Sequence, residues 1–196
     1  MPDSTQQAPG YPLPADAVSP VRGASAPPAG TALANHYDGC FACGSDHPDG
    51  LHLAATAGAG VDVTTRVRLT HAHQGAPGLA HGGILAATMD ETLGFLLWML
   101  ETVAVTAKLE TQYRKPVPVD SDVHGRGRCT GVAGRKIYTY GTLHLGAPDG
   151  PLVAEASGLF IAVGAEHFRP YIGGTMSRDE VADWRGRVAG RPGYHP

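Results

Sequence analysis

Cysteine is scarce here. Three in 196 residues are too few, and odd in number, for the disulfide framework of a small secreted scaffold. A membrane span is missing as well. No stretch approaches the roughly 18 consecutive apolar residues a span requires, and the longest candidate, Ile84 to Leu100, is interrupted by Asp90 and Glu91. Nor is there an excess of positive charge. A formal net charge of -3 gives no basis for sequence-independent attraction to a phosphate backbone, so nucleic acid is not an expected partner. The N-terminus also lacks the basic start and apolar run of a secretory signal. These absences predict a soluble, cytoplasmic protein with reduced thiols and no membrane partner.

What is present divides the chain into three parts. Residues 1–33 are rich in Pro, Ala, Gly and Ser without periodic apolar positions, which predicts a disordered leader. Order is expected from about Asn35, where DGCFACGSDHPDGLHL reads as a short turn or helical segment leading into a strand. From Val61 to Thr70, Val61, Val63, Val67 and Leu69 alternate with polar residues, the period of a half-buried strand. Pro77-Gly78 turns the chain, and Leu85, Met89, Leu93, Leu96 and Leu100 then recur at three- and four-residue spacing, predicting one long buried helix over 82–100.

Four strand-like stretches follow, Val103 to Arg114, Asp122 to Val132, Lys136 to Leu145 and Leu152 to Val163, separated by Pro- and Gly-containing turns. Ser177 with Glu180 resembles a capping box and predicts a short helix to about Val188 within a tail over 169–196. The ordered domain is thus expected over 34–168, as an α+β fold with an antiparallel sheet wrapped around one helix. One helix cannot cover such a sheet, so a homodimer or homotetramer is expected.

The chemistry centres on Asp90, a carboxylate in the middle of that apolar helix. An Asp on a helix more often faces solvent or pairs with Lys or Arg, and burying it ionised is costly. Here Ala86, Ala87 and Gly94, one turn away on either side, leave space beside the carboxylate that fits a ligand slot. The helix begins at His81-Gly82-Gly83, where unpaired N–H groups and the positive end of the helix dipole polarise a carbonyl oxygen. An oxyanion site and a carboxylate base are what thioester hydrolysis requires.

The stretch HQGAPGLAHGGILAATMDE, with CFACGSDHPDGLHL before it and TAKLETQYRKPVPVD after it, resembles the hotdog-fold thioesterases of the phenylacetate-type and human thioesterase-superfamily groups, over about residues 36–165. The resemblance implies a hotdog fold acting on an acyl-coenzyme A or acyl-carrier-protein thioester. It implies that the Gly82 amide, helped by Gly83, binds the thioester oxygen, that Asp90 is the catalytic carboxylate and that His81 shapes the helix start. Thr106 matches a hydroxyl residue supplied by the partner subunit. Gln74 is the nearest candidate for a water-holding amide upstream of the glycines. Gly134-Arg135-Lys136 resembles a hairpin that meets coenzyme A phosphates, with Arg114 and Lys115 competing for that role. Within the same fold, a non-hydrolytic thioester binder and a dehydratase or hydratase are the alternatives.

Glu91 is expected to be an orienting or salt-bridged neighbour, and the reserve candidate for the base. Cys40-x-x-Cys43 with His47 and His52 has the residue types of a zinc site, but the second pair lacks the usual spacing, so neither metal nor cofactor is expected. His71 and His73 are read as solvent-facing. Phe95, Trp98 and Tyr113 are read as setting pocket length.

Overall fold

A computed structural model describes residues 10–168 together with 170 and 171; the helix expected after Ser177 lies outside them. In chain order the strands are β1 (Ala32–Leu33), β2 (Ala54–Ala57) and β3 (Asp62–Arg68), then the helices α1 (Gly82–Gly94) and α2 (Leu96–Met99), then β4 (Ala104–Tyr113), β5 (Asp122–Ala133), β6 (Lys136–Leu145) and β7 (Leu152–Ala162). The strands form one seven-stranded sheet in the order β1-β2-β3-β5-β6-β7-β4. Every pairing is antiparallel.

The alternation read from the sequence holds in β3, where Val63, Thr65 and Val67 are buried and Thr64, Arg66 and Arg68 are exposed. The buried face meets α1, whose Leu85, Met89 and Leu93 are at most 4% exposed. Burying such a side chain contributes about 1.5–3 kcal/mol. The helix lies very close to the sheet. A Cβ on Gly141 would stand 2.9 Å from the Met89 sulfur and 2.9 Å from the Arg126 carbonyl oxygen, so β6 needs glycine where α1 crosses it.

Two expectations are corrected. The helix is not continuous to Leu100: α1 ends at Gly94 and Phe95 separates it from α2, since glycine is a poor helix former and the chain must turn there to start β4. Residues 10–33 are not a disordered leader. Val18 bridges to Val132, Arg22 donates to the Gly58 carbonyl at 3.0 Å, the Gly23 amide donates to the Met99 carbonyl at 2.8 Å, and β1 pairs with β2. Backbone hydrogen bonds to a preformed sheet order a segment that has no apolar period of its own. The pattern also hid β2, because AATA has little strand propensity and is held by its pairing to β3.

β4 closes one edge of the sheet, and beyond it no strand follows among the described residues. It runs back along α1, so its beginning lies beside the middle of the helix and its end beside the helix start.

Candidate active site

At the start of α1, His81 is the N-cap and its Nδ1 accepts the Gly83 N–H at 2.9 Å. His81 therefore shapes the helix start, and its imidazole satisfies one of the orphan amides of the first turn. This corrects the part expected of Gly83, whose N–H is already taken. The Gly82 N–H has no hydrogen bond among the described residues and is the donor left for a ligand oxygen. Tyr113, at the far end of β4, donates its hydroxyl to the Gly82 carbonyl at 2.9 Å. Together with Leu79, Leu85, Arg114, Lys115 and Val117, these residues line a cleft of about 470 Å³.

Gln74 holds the loop before the helix. Its Oε1 accepts the Gly78 N–H at 2.9 Å and Gln74 bridges to Ala80, tying the loop that delivers His81. The same loop buries His73, which is 4% exposed and accepts the Thr70 N–H on Nδ1 at 3.0 Å. His73 is thus not solvent-facing, whereas His71 is, with its side chain 76% exposed.

Two turns into α1, the half-buried Asp90 accepts a hydrogen bond on Oδ1 from the Thr106 hydroxyl at 2.9 Å. Burial pushes the Asp90 carboxyl above its usual range; the Thr106 hydrogen bond pulls the other way and the neighbouring Glu91 charge adds to the rise. A partly desolvated carboxylate with one oriented oxygen is a suitable proton acceptor. Thr106, expected from a partner subunit, reaches Asp90 of its own chain because β4 returns directly along α1.

Glu91, one residue on, faces elsewhere. Its Oε1 meets His36 Nδ1 at 2.8 Å and its side chain is only 12% exposed. Burial alone would raise its pKa, but the His36 hydrogen bond and charge, with the Cys43 thiol, outweigh burial and hold it below the usual range. Glu91 is a paired carboxylate, as expected of an orienting neighbour. Its partner His36 escaped the sequence reading; the available signal was a histidine four residues before Cys40.

The structure thus gathers His81, Gly82, Arg114 and Lys115 at one end of α1, and Asp90 with Thr106 eight residues further on. Arg135 and Lys136 belong to neither cluster. They sit at the β5–β6 hairpin around Gly134 (φ +54°), paired toward Ala162 and Ile161 of β7. Of the residues read as setting pocket length, Phe95 is buried at 1% exposure against the His36 ring, and only Tyr113 lines the cleft.

An antiparallel sheet curled around one central helix, with a free helix-start amide and a carboxylate two turns later, defines the hotdog class. Residues 77–149 match the family model described as Thioesterase superfamily. It is 37% identical over 93 residues to mouse acyl-coenzyme A thioesterase THEM4, covering 47% of this chain and 40% of that protein. Against human acyl-coenzyme A thioesterase THEM5 it is 31% identical over 97 residues, covering 50% of this chain and 39% of that one. The chain therefore spans well under half the length of these curated relatives. A solved thioesterase superfamily protein superposes with a TM-score of 0.59 at 27% identity, over 70% of both chains. No helix among the described residues is long and apolar enough to cross a membrane.

Proposed function

We propose that this chain hydrolyses an acyl-coenzyme A thioester to a free acid and a thiol, with Asp90 as the catalytic carboxylate and the Gly82 amide as the oxyanion donor. The observation that carries the reading is the Asp90 carboxylate, desolvated on an apolar helix with one oxygen fixed by Thr106. Asp90 takes a proton from a water whose oxygen attacks the carbonyl carbon, or attacks that carbon itself. The carbonyl electron pair moves onto oxygen, where the amide donor stabilises it; one such donor is worth about 2.7–4 kcal/mol. Collapse breaks the C–S bond; in the general-base branch the thiolate takes the proton that Asp90 removed from water, and in the nucleophilic branch a water then cleaves the Asp90 acyl anhydride, its oxygen going to the acid and its proton to the thiolate. The relatives' names favour coenzyme A over a carrier protein as the thiol handle.

One geometric fact favours an assembly of two copies. Gly82 and Asp90 are eight residues apart on α1, which at 1.5 Å per residue is about 12 Å along the axis. A carbonyl bound at one end cannot have its carbon within the roughly 3–3.5 Å of the other that reaction needs. Pairing β4 antiparallel with β4 of a second copy across a two-fold axis resolves this, because the start of one strand then meets the end of the other. Each Asp90 and Thr106 would then face the partner's Gly82 and Tyr113. The unpaired edge of β4 also needs such cover. Three free cysteines suit the reducing cytoplasm.

The dehydratase alternative needs a histidine free to act as a base on the substrate's β-carbon. His81 Nδ1 is occupied by Gly83, which leaves its proton on the other ring nitrogen. The hydrolytic reading is therefore preferred, and a split-site test addresses it. Gly82→Pro removes only the N–H, at a helix position where proline is well accepted, and Asp90→Asn removes only the base. Each variant alone should release thiol from a panel of acyl-coenzyme A substrates at least about 10²-fold more slowly than the parent chain. Refolded together, they should recover about a quarter of parental activity, since half of random dimers are mixed and each mixed dimer has one intact site. Absence of recovery would place both residues in one chain's site; full activity in either variant would remove the mechanism.

A further inference from the structure

We propose that Cys40, Cys43, His36 and Glu91 form a four-ligand structural zinc site that fastens the turn at residues 36–44 to α1. The histidines that share zinc-type residues with the two cysteines in sequence are engaged elsewhere: His52 Nδ1 lies 2.8 Å from the Gly44 carbonyl and His47 packs edge-on against Phe41. A different pair converges instead. His36 Nδ1, Cys43 Sγ and a Glu91 carboxylate oxygen all lie within 4.8 Å of one another; Cys40, three residues before Cys43 on the same turn, stands outside that group and would swing in as the fourth ligand.

The local backbone is tightly turned, with the Cys40 N–H donating to the Tyr37 carbonyl at 3.1 Å. This turn closes through the Gly44 N–H donating to the Cys40 carbonyl at 2.8 Å. A Cβ at position 44 would come within 2.1 Å of the Asp38 carbonyl oxygen and 2.5 Å of that of Cys40, so only glycine can follow Cys43 there.

The spacing fits zinc. With zinc–nitrogen and zinc–oxygen bonds of about 2.0–2.2 Å and zinc–sulfur bonds of about 2.3 Å, tetrahedral ligands stand roughly 3.3 Å (N to O) and 3.6 Å (N to S) apart. Here Cys43 Sγ is 3.5 Å from His36 Nδ1, and the 2.8 Å between His36 Nδ1 and Glu91 Oε1 has to open by only about half an ångström. Two thiolates, an imidazole and a carboxylate form a donor set that selects zinc over hard cations. The His36 ring is already oriented by stacking on Phe95 at 4.9 Å, and Cys43 is 6% exposed, as expected of a closed structural site.

The test uses the full chain, purified without chelator from zinc-supplemented medium. Elemental analysis should find about one zinc per chain. Cobalt(II) added to the metal-stripped protein should produce the near-ultraviolet absorption of thiolate-to-cobalt charge transfer. Cys40→Ser with Cys43→Ser should abolish both signals, and Glu91→Gln should weaken metal retention against a competing chelator while leaving the charge-transfer band. The proposal is overturned if the folded parent chain binds neither zinc nor cobalt, if cobalt binds without that band, or if the double serine variant keeps its zinc. Since the cobalt titration reads the parent chain, a variant that fails to fold does not shield the idea.

Discussion

Asp90 and Glu91 are consecutive residues of the same chemistry, yet α1 sends their side chains about 100° apart, into two different regions of the molecule. Asp90 looks toward the edge strand β4, where the Thr106 hydroxyl is its donor and burial, the largest influence, raises its pKa. Glu91 looks toward the 36–44 turn, where an imidazole and a thiol hold its pKa down. Environments that push two carboxylates in opposite directions separate a proton acceptor from a fixed charge. Position within α1 decides these environments, and residue type does not.

The largest expected effect breaks or confirms this contrast directly. Asp90→Asn should lower kcat by at least about 10²-fold with little change in substrate affinity, because it removes a group used in the transition state. Glu91→Gln should change kcat far less and show itself instead as a lower melting temperature, since it leaves His36 and Cys43 without their buried partner. Steady-state thiol release and thermal unfolding measured on both variants read the two outcomes. The reverse pattern would move the catalytic role by one residue.

A smaller effect sharpens the Asp90 side. Thr106→Val removes the hydroxyl that orients Oδ1 and should reduce kcat about tenfold, close to the loss of one hydrogen bond to a charged acceptor. Thr106→Ser should restore most of it. Equal rates for all three chains would mean that the 2.9 Å contact does not orient the base.

The contrast also shows what was legible in the sequence. The helix start at His81, the strand alternation around Val63 and Val67, and the isolated carboxylate at Asp90 are local patterns of three to ten residues, and each is found where the pattern put it. The partners were not legible. Thr106, His36 and Tyr113 reach α1 through long-range pairing, and nothing in a linear spacing says that Thr106 would bond within the chain while His36 crosses 55 residues to Glu91. The order of residues 10–33 was hidden for a similar reason, since those residues are held by backbone bonds to a sheet that exists only after folding. Gly83 was misjudged because a histidine at the N-cap can consume the amide that the glycine offers.

The next prediction concerns which basic pair meets the coenzyme A phosphates. Arg114 and Lys115 share the cleft with Gly82, while Arg135 and Lys136 sit at the hairpin beyond the opposite end of β4. Replacing Arg114 and Lys115 together by Ala should raise KM several-fold with kcat nearly constant, as for contacts made equally in ground and transition states. Arg135→Ala with Lys136→Ala should move KM less. A larger KM effect from the hairpin pair would show that the partner's hairpin, and not the cleft beside Gly82, receives the phosphates.

The smallest expected effect lies at the cleft's outer rim, where Glu155 holds Arg114 and the outcome depends on pH. Arg114 Nε donates to Glu155 Oε1 at 2.7 Å and the Tyr140 hydroxyl donates to the same carboxylate. The Tyr140 hydrogen bond contributes most to holding Glu155 below its usual range, burial opposes it, and Arg114 adds to the lowering. A carboxyl whose folded pKa lies below its unfolded value stabilises the fold above the unfolded value, near 4.3, and loses that contribution as pH falls through the folded value. For so exposed a pair the contribution is about 0–1 kcal/mol. Glu155→Gln should therefore lower the melting temperature at pH 7 by no more than about 2–4 °C, and the two chains should converge as the pH is taken below about 4. The same substitution releases Arg114 toward the cleft, so KM should fall slightly if Arg114 meets a substrate phosphate. A melting difference that persists unchanged in acid would mean that Glu155 acts through packing, and an unchanged KM would leave Lys115 as the cation that matters at this end of α1.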